Sequence, residues 1–235
     1  MSLGSAFDSP ERKRAHNRAL FATIADRYDL ITAVLSYGQD ARWKRTLIRR
    51  AGLQRGEHVL DLACGTGDLA FAAAAKGARV VGLDLTHRML QLAAGKSRSA
   101  TFLTGDMTSL PFQSQTFDVV TTGYGLRNVP DLTAAIDEIA RVLRPGGRLL
   151  SLDFNRPRPA VIRIPYLAYL TAVGSALGWL LHRDPDTYRY IPESIRRYPG
   201  AAGVAELLAS RGFSHVTVVP LLFGLMTLHL AQRPR

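Results

Sequence analysis

The sequence predicts an α/β fold: a doubly wound, mostly parallel sheet with helices on both faces. Three observations predict it. From residue 58 to residue 154, short apolar runs of strand length alternate with helical stretches, the mark of βαβ units. The first run feeds a glycine-rich turn, Cys64-Gly65-Thr66-Gly67-Asp68, and then a helix. The next two runs end on aspartates, Asp84 and Asp106, at the sheet edge where open α/β sheets bind ligands.

The elements follow in order. Residues 10–26 read as a helix, with Pro10 near its start and Leu20, Phe21 and Ile24 on one face. Residues 39–51 read as a second helix, with Trp43, Leu47 and Ile48 apolar among five cations. Strands are expected at 58–63, 79–84, 101–106, 117–122 and 148–154, the last after a Pro145-Gly146-Gly147 turn. Helices are expected at 69–76, 86–94 and 132–143, the first stopped by Gly77. Residues 164–181 carry no charge over 18 positions. At ~1.5 Å per residue they reach ~27 Å, just short of a ~30 Å bilayer core. Pro165, Gly174 and Gly178 interrupt the run, and a buried helix or a lid that meets something greasy is preferred to a membrane span. Residues 184–198 are rich in Tyr and Arg and helical in part; 201–211 form a helix ended by Gly212; strands at 214–220 and 225–231 close the chain.

Composition narrows the function. The 235 residues hold 30 Lys plus Arg against 19 Asp plus Glu, a formal net charge of +11, and 47% are hydrophobic. That excludes an extensively disordered chain and a polytopic membrane protein. The single cysteine, Cys64, excludes a disulfide framework and a cysteine-based zinc site, and no metal is expected. Met1 to Ser9 is short and polar and is not a secretory signal, so the expected compartment is the cytoplasm. The charge is uneven. Residues 1–55 carry net +6, residues 56–140 net −3 and residues 141–235 net +8. The middle, which holds the glycine turn, is acidic.

Gly65-Thr66-Gly67-Asp68-Leu69-Ala70 fits the dinucleotide pattern G-x-G-x-x-A, a weak signal alone. Asp61 and Asp68 flank the loop, which suits an amine or a cation better than a pyrophosphate. Asp84, about 20 residues on, is placed to hold a ribose by both hydroxyls. Asp106 ends the third strand beside Met107. A lone Asp in such a place is more often a cap; four in one region point to a ligand. An adenosyl cofactor with an amino-acid tail and no phosphate uses all of them, and S-adenosyl-L-methionine fits.

The chain also resembles a known family. Its nucleotide-binding half resembles class I S-adenosylmethionine methyltransferases. From about residue 19 to 232 it is similar to the C-methyltransferases of ubiquinone and menaquinone biosynthesis, the UbiE family. The matching stretches include Phe21-Ala-Thr-Ile-Ala-Asp-Arg-Tyr28-Asp29-Leu, Leu60-Asp-Leu-Ala-Cys-Gly-Thr-Gly-Asp-Leu-Ala70 and Tyr124-Gly-Leu-Arg127-Asn128-Val. Arg141-Val-Leu-Arg-Pro-Gly-Gly147 and Tyr188-Arg-Tyr190-Ile-Pro-Glu-Ser194-Ile with Tyr198-Pro199 follow. The glycine loop and the Pro-Gly-Gly stretch mark the superfamily; Gly-Leu-Arg-Asn and Arg-Tyr-Asp-Leu are particular to the quinone branch. The chain departs from the pattern at Ile31-Thr32, where Met-Asn is common, and at Asp40, where a His precedes the Trp. Other departures are Arg144 for Lys, Asp153-Phe154-Asn155 for Glu-Phe-Ser, and Gly123, where many relatives have Ser.

The resemblance implies a Rossmann-like, seven-stranded sheet with the last strand antiparallel, N-terminal helices and a helical insertion after the fifth strand. One domain is expected over 1–235: an N-terminal cap at 10–52, a cofactor-binding core at 56–155, a substrate-cap insertion at 156–199, and a C-terminal helix and two strands at 200–235. Asp61, Gly65, Thr66, Gly67, Asp84, Leu85, Asp106, Met107 and Gly123 are the expected cofactor residues. The implied reaction is C-methylation of a polyprenylated quinol, with demethylmenaquinol to menaquinol favoured over the benzoquinol. Arg127 and Asn128 are expected near the forming phenolate, and Tyr28 and Asp29 close over the site from the cap. Tyr124, Tyr188, Tyr190, Ser194 and Tyr198 are the expected substrate wall. Plainer readings stand beside these: Arg127 paired with Asp131, Tyr28 and the other tyrosines as packing, His229 as a core residue. The expected partners are the quinol and an anionic membrane surface met peripherally through 164–181 and the basic ends, with no nucleic acid and with a homodimer left open. The competing functions are methylation of another small phenol, methylation of RNA along the basic flanks, and a non-catalytic subunit.

Overall fold

The structure is a computed structural model that describes residues 4–235; Met1 to Leu3 of the short polar start lie outside the described residues. After a short 3-10 turn at Gly4–Phe7, α1 (Pro10–Ile24) starts where Ser9 accepts a hydrogen bond from the Arg12 amide at 3.2 Å. A 3-10 turn at Ala25–Arg27 leads into α2 (Tyr28–Leu35), and α3 (Asp40–Ala51) follows. The sequence reading assigned no element to α2. Its Ile31 and Leu35 are buried, yet Leu30 and Val34 on the other side are apolar and exposed. Apolar residues all round erase the 3.6-residue signature.

The core alternates as expected: β1 (His58–Leu62), α4 (Asp68–Ala74), β2 (Arg79–Asp84), α5 (His87–Lys96), β3 (Thr101–Thr104), β4 (Phe117–Gly123), α6 (Leu132–Val142) and β5 (Leu143–Phe154). Two boundaries differ from the sequence reading. β3 stops at Thr104, so Asp106 lies just beyond the strand, where it bridges to Ser109. Pro145-Gly146-Gly147 is no turn ahead of a strand but a bulge within β5. Leu143 already pairs with Phe117, and the register then jumps to Arg148 opposite Val119. The bulge needs Gly146 at φ +77, and its amide donates to the Arg233 carbonyl at 2.9 Å.

Then come α7 (Ala160–His182), α8 (Tyr190–Arg197), α9 (Gly200–Ser210), β6 (Ser214–Leu221) and β7 (Met226–Gln232). The sheet order is β3-β2-β1-β4-β5-β7-β6. β7 runs antiparallel to both neighbours, β5 and β6, and the other four junctions, all among β1 to β5, are parallel. This is the expected seven-stranded sheet. The strand order reverses direction between β1 and β4, so a crevice opens above their carboxyl ends. One apolar cluster packs α3, α4 and α7 on one face, around Trp43, Leu47, Leu69 and Leu167. Another packs α6 and α9 on the opposite face, around Ile136, Ile139, Val204 and Leu208.

α7 is longer than the uncharged run and, by length and composition alone, is apolar enough to cross a bilayer, with 28% of its apolar window buried. Tyr166, Leu167, Leu170, Gly174 and Gly178 face the protein. Val161, Ile164, Trp179 and Leu180 are 58–80% exposed. Beside it, Tyr37 after α2 stacks on Tyr169 at 5.8 Å.

Candidate active site

Three adjoining cavities open at the carboxyl edge of the sheet, beneath α1 and α2. The glycine loop forms the floor of the first. Gly65 and Gly67 hold φ +53 and +91, and a Cβ on Gly67 would lie 2.7 Å from the Phe71 ring, so this turn can close only without a side chain. The Gly65 amide donates to Asp84 Oδ2 at 2.8 Å and the Thr86 amide to Asp84 Oδ1 at 2.8 Å. Each carboxylate oxygen thus spends one lone pair on backbone and keeps another toward the cavity. Burial raises the Asp84 pKa, and these amides work against the rise. Asp84, Leu85, Asp106, Met107, Gly123 and Gly65 all line this cavity, about 680 Å³ including its mouth, within the ~300–1,000 Å³ of small-molecule sites.

The second, smaller cavity lies behind the loop, lined by Asp61, Thr66, Gly123, Lys44, Tyr28 and Tyr124 among others. Asp61 sits inside β1 rather than on the loop. Thr121 donates to its Oδ1 at 2.8 Å, while its Oδ2 is buried with no partner. Burial pushes its pKa up to about 7. A buried carboxylate oxygen without a donor is costly, and an ammonium group satisfies it. Lys44, which the sequence reading passed over, stands across from it, bound to Asp40 at 2.7 Å and Asp68 at 2.8 Å. An acid four residues ahead of a lysine on a helix was the available signal.

The third cavity, about 590 Å³, is apolar. Leu20, Ile24, Ile31 and Leu35 of the cap face Tyr188, Tyr190 and Ile191 across it, and Arg127 and Asn128 line one side. Tyr28 and Tyr124 border all three cavities. Tyr124 sits at φ +62 at the end of β4, an unusual backbone for a bulky residue.

The pairing of Arg127 with Asp131 is corrected. Asp131 caps α6 through the Ala134 amide at 3.0 Å. Buried Arg127 instead meets Asp153 of β5, its Nε 3.3 Å from Oδ1 and its amide 3.0 Å from Oδ2. It also donates to Ser194 and lies over the Phe154 ring. Ser194 therefore touches Arg127 and lies behind the cavity wall. Tyr198 is buried among the packing of α6 and α9 and borders none of the three cavities. Asn128 Nδ2 donates to the Tyr124 carbonyl at 2.7 Å, which leaves its Oδ1 buried and unpartnered at the junction. Tyr188 donates to or accepts from His182 at 2.8 Å. Asp29 is exposed and outside the cavities: its Oδ1 accepts from Thr66 at 2.6 Å and its Oδ2 from Lys96 at 2.7 Å, tying the cap to the glycine loop. His229 is buried against the Ala201 carbonyl, as the plainer reading has it.

The sequence reading missed the role of α1. Arg14 binds Asp106 at 2.5 Å, Lys13 donates to the Val129 carbonyl at 2.6 Å, and Asn17 donates to the Asn128 carbonyl at 2.5 Å. One helix thus spans the rim of the first cavity. Burial, with Arg127 and Arg197 nearby, pulls Lys13 down to about 8. Among the described residues no cluster of His, Cys, Asp and Glu is arranged for a metal ion.

Comparison with known proteins agrees with this geometry. Residues 9–233 match the ubiE/COQ5 methyltransferase family. The chain is 40% identical over 223 residues to a demethylmenaquinone methyltransferase of Mycobacterium sp. (strain KMS), covering 94% of this chain and 96% of the relative. It is 39% identical to the Thermus thermophilus enzyme of that name, covering 92% and 100%. Among solved structures, a SAM-dependent methyltransferase from Thermotoga maritima superposes with a TM-score of 0.68 at 17% identity, covering 92% and 99%. The phosphoethanolamine N-methyltransferase 2 of Haemonchus contortus in complex with S-adenosyl-L-methionine gives 0.62 at 17%, covering 92% and 60%. The chain belongs to the ubiE/COQ5 methyltransferase family.

Proposed function

We propose that this protein uses S-adenosyl-L-methionine to methylate a ring carbon of a reduced polyprenyl quinone, converting demethylmenaquinol to menaquinol, and that it does so at a membrane surface. The carrying observation is the meeting of an acidic, backbone-built cavity with an apolar, aromatic-walled one at Tyr28 and Tyr124. The cofactor fits the residues present. Asp61 Oδ2 is the orphan acceptor for its ammonium, Asp84 has lone pairs for ribose hydroxyls, and Leu85, Asp106 and Met107 border the place of the adenine. When bound, it supplies an electrophilic methyl group on a sulfonium.

The protein's own residues do the rest. The helices of the cap shield the junction from water and hold the ring carbon in line with the methyl group, the larger part of the rate gain. Arg127, fixed by Asp153 and Ser194, presents a cation along the apolar cavity. There it favours the ionised form of a substrate hydroxyl, whose ordinary pKa is ~10. Asn128 Oδ1 offers an acceptor to the same hydroxyl.

The membrane reading rests on α2 and α7. α2 turns Ile31 and Leu35 to the apolar cavity and Leu30 and Val34 to the outside. Val173, Leu177 and Leu181 of α7 pack against the Ile24, Ile31, Leu35 and Tyr188 cluster beside that cavity, so a prenyl tail held there lies next to α7. The outward Trp179 and Leu180, followed by Arg183 stacked on Trp179, suit the headgroup boundary. Arg141, Arg144, Arg148, Arg196 and Arg197 of the basic C-terminal third carry ion pairs.

The test is an assay of the purified protein with S-adenosyl-L-methionine and either reduced demethylmenaquinone or a reduced demethylated benzoquinone. Methylation of the naphthoquinol, faster than of the benzoquinol, is expected. Methylation of neither overturns the proposal.

A further inference from the structure

A substrate hydroxyl must lose a proton before its ring carbon becomes a good nucleophile, and the groups placed so far do not take one. Arg127 is a cation, Asn128 an amide, and Asp29 is tied to Thr66 and Lys96 away from the cavities. Tyr124 is better placed. It borders all three cavities, and its backbone is pinned, the amide donating to the Leu152 carbonyl at 2.7 Å and its own carbonyl holding Asn128. Its hydroxyl donates to Asp40 Oδ1 at 2.6 Å. Asp40 stands in the first turn of α3, its other oxygen 2.7 Å from Lys44, which also binds Asp68. With its hydrogen committed to Asp40, the Tyr124 oxygen has only lone pairs left for the junction.

On the reading of this site as a quinol C-methyltransferase, we propose that Tyr124 and Asp40 are its proton relay. The substrate hydroxyl gives its proton to Tyr124 Oη as Tyr124 passes its own to Asp40 Oδ1. The carbon–methyl bond then forms as the methyl–sulfur bond breaks, leaving a ketone form of the ring. To restore aromaticity the ring proton leaves to water. The oxygen takes a proton back from Asp40 through Tyr124, and the net release is one proton. Tyr124 is the catalytic residue of the pair; Asp40 positions its hydroxyl and stores the proton. The charged and titratable groups facing them are Lys44 of α3, Tyr28 of α2, Asp68 of α4 through Lys44, and Asp153 of β5. Burial, then Asp40, lifts the Tyr124 phenol well above its ordinary pKa, so it conducts a proton without resting as a phenolate.

The test compares kcat of the full chain and of Asp40→Asn and Tyr124→Phe between pH 6 and 9.5. Asn can still accept from Tyr124 but is a far weaker proton store. Tyr124→Phe leaves the Asp40–Lys44 pair intact. We expect each to lower kcat about 100-fold near neutrality, in the range of general-base effects, with cofactor affinity within about threefold. The deficit should shrink as pH climbs toward the phenol's own ~10, where the substrate ionises unaided. Full activity in either variant overturns the relay, as does a deficit that stays constant with pH. If Asp40→Asn loses cofactor binding through Lys44, Tyr124→Phe decides by the same two criteria. An active wild type with unaffected variants overturns the relay alone; an inactive wild type overturns the parent reading and the relay with it.

Discussion

The two sides of this site are made of different material. The cofactor side is backbone: a turn that tolerates no Cβ at Gly67, amides of Gly65 and Thr86 on Asp84, and Asp61 fixed in β1 between Gly82 and Thr121. The quinol side is side chains, all but one on helices: Leu20, Ile24, Ile31, Leu35 and Ile191, with Tyr188 in the turn before α8. Sheet register and backbone hydrogen bonds hold the first, whereas the second rests on side-chain packing. Cofactor choice is therefore hard to alter by single changes, and ring or tail preference is easy.

The helical side does have one rigid element, and removing it should give the largest effect. Arg127→Met leaves Asp153 buried without its cation. Stability should fall by about 3–5 kcal/mol, read by urea unfolding. Cofactor affinity in the folded fraction should hold, because Arg127 borders only the apolar cavity. Lost cofactor binding in folded protein would erase the division between the two sides. Asp84→Ala attacks the opposite side. It strips two amides and the ribose of their acceptor, and hydrogen bonds to a charged group are worth about 1.5–3 kcal/mol each. Cofactor affinity by calorimetry should fall at least about 100-fold.

Much of that contrast was legible in the sequence. Gly65, Gly67, Asp84 and Asp106 announce themselves because a strand, a turn and the next strand lie within a few dozen residues, and periodicity places their ends. The partner of Arg127 did not, because Asp153 and Ser194 come from a neighbouring strand and a distant helix, 26 and 67 positions away. The salt bridge of Arg14 to Asp106 spans 92 positions. Local pattern carries no trace of such pairs. α2 stayed hidden for another reason: serving a cavity on one side and an exposed face on the other, it has no polar stripe to betray its period.

Asp61→Asn sharpens the cofactor side at intermediate size. Burial lifts the Asp61 pKa to about 7, above the ~3.9 of an unfolded chain. Between about pH 4 and 7 the folded form keeps a proton the unfolded form has shed, so this group's contribution to stability declines as pH rises through that window. Asn removes that slope in melting curves. Cofactor affinity of the unaltered protein should rise from pH 6 to 8 as Asp61 ionises to meet the ammonium. Asn should cost about tenfold at pH 8, near 1.4 kcal/mol, and abolish the pH dependence. The smallest effect is expected at the outer face of the helices. Trp179→Ser with Leu180→Ser should lower sedimentation with anionic vesicles severalfold, since both side chains are exposed. Methylation of a short-tailed quinol in solution should be unchanged.

The order of the strands has a bearing on how the protein is born. β7, the last strand, lies between β5 and β6 and pairs seven residues of β5 in register, Arg148 to Phe154. That stretch includes Asp153, the partner of Arg127. On the ribosome, where chains emerge at about 5–20 residues per second, β1 to β5 can assemble early, but β5 keeps a bare apolar edge until residue 232 clears the exit tunnel. The growing chain thus carries an open adhesive border through the eighty or so residues that separate the end of β5 from the end of β7.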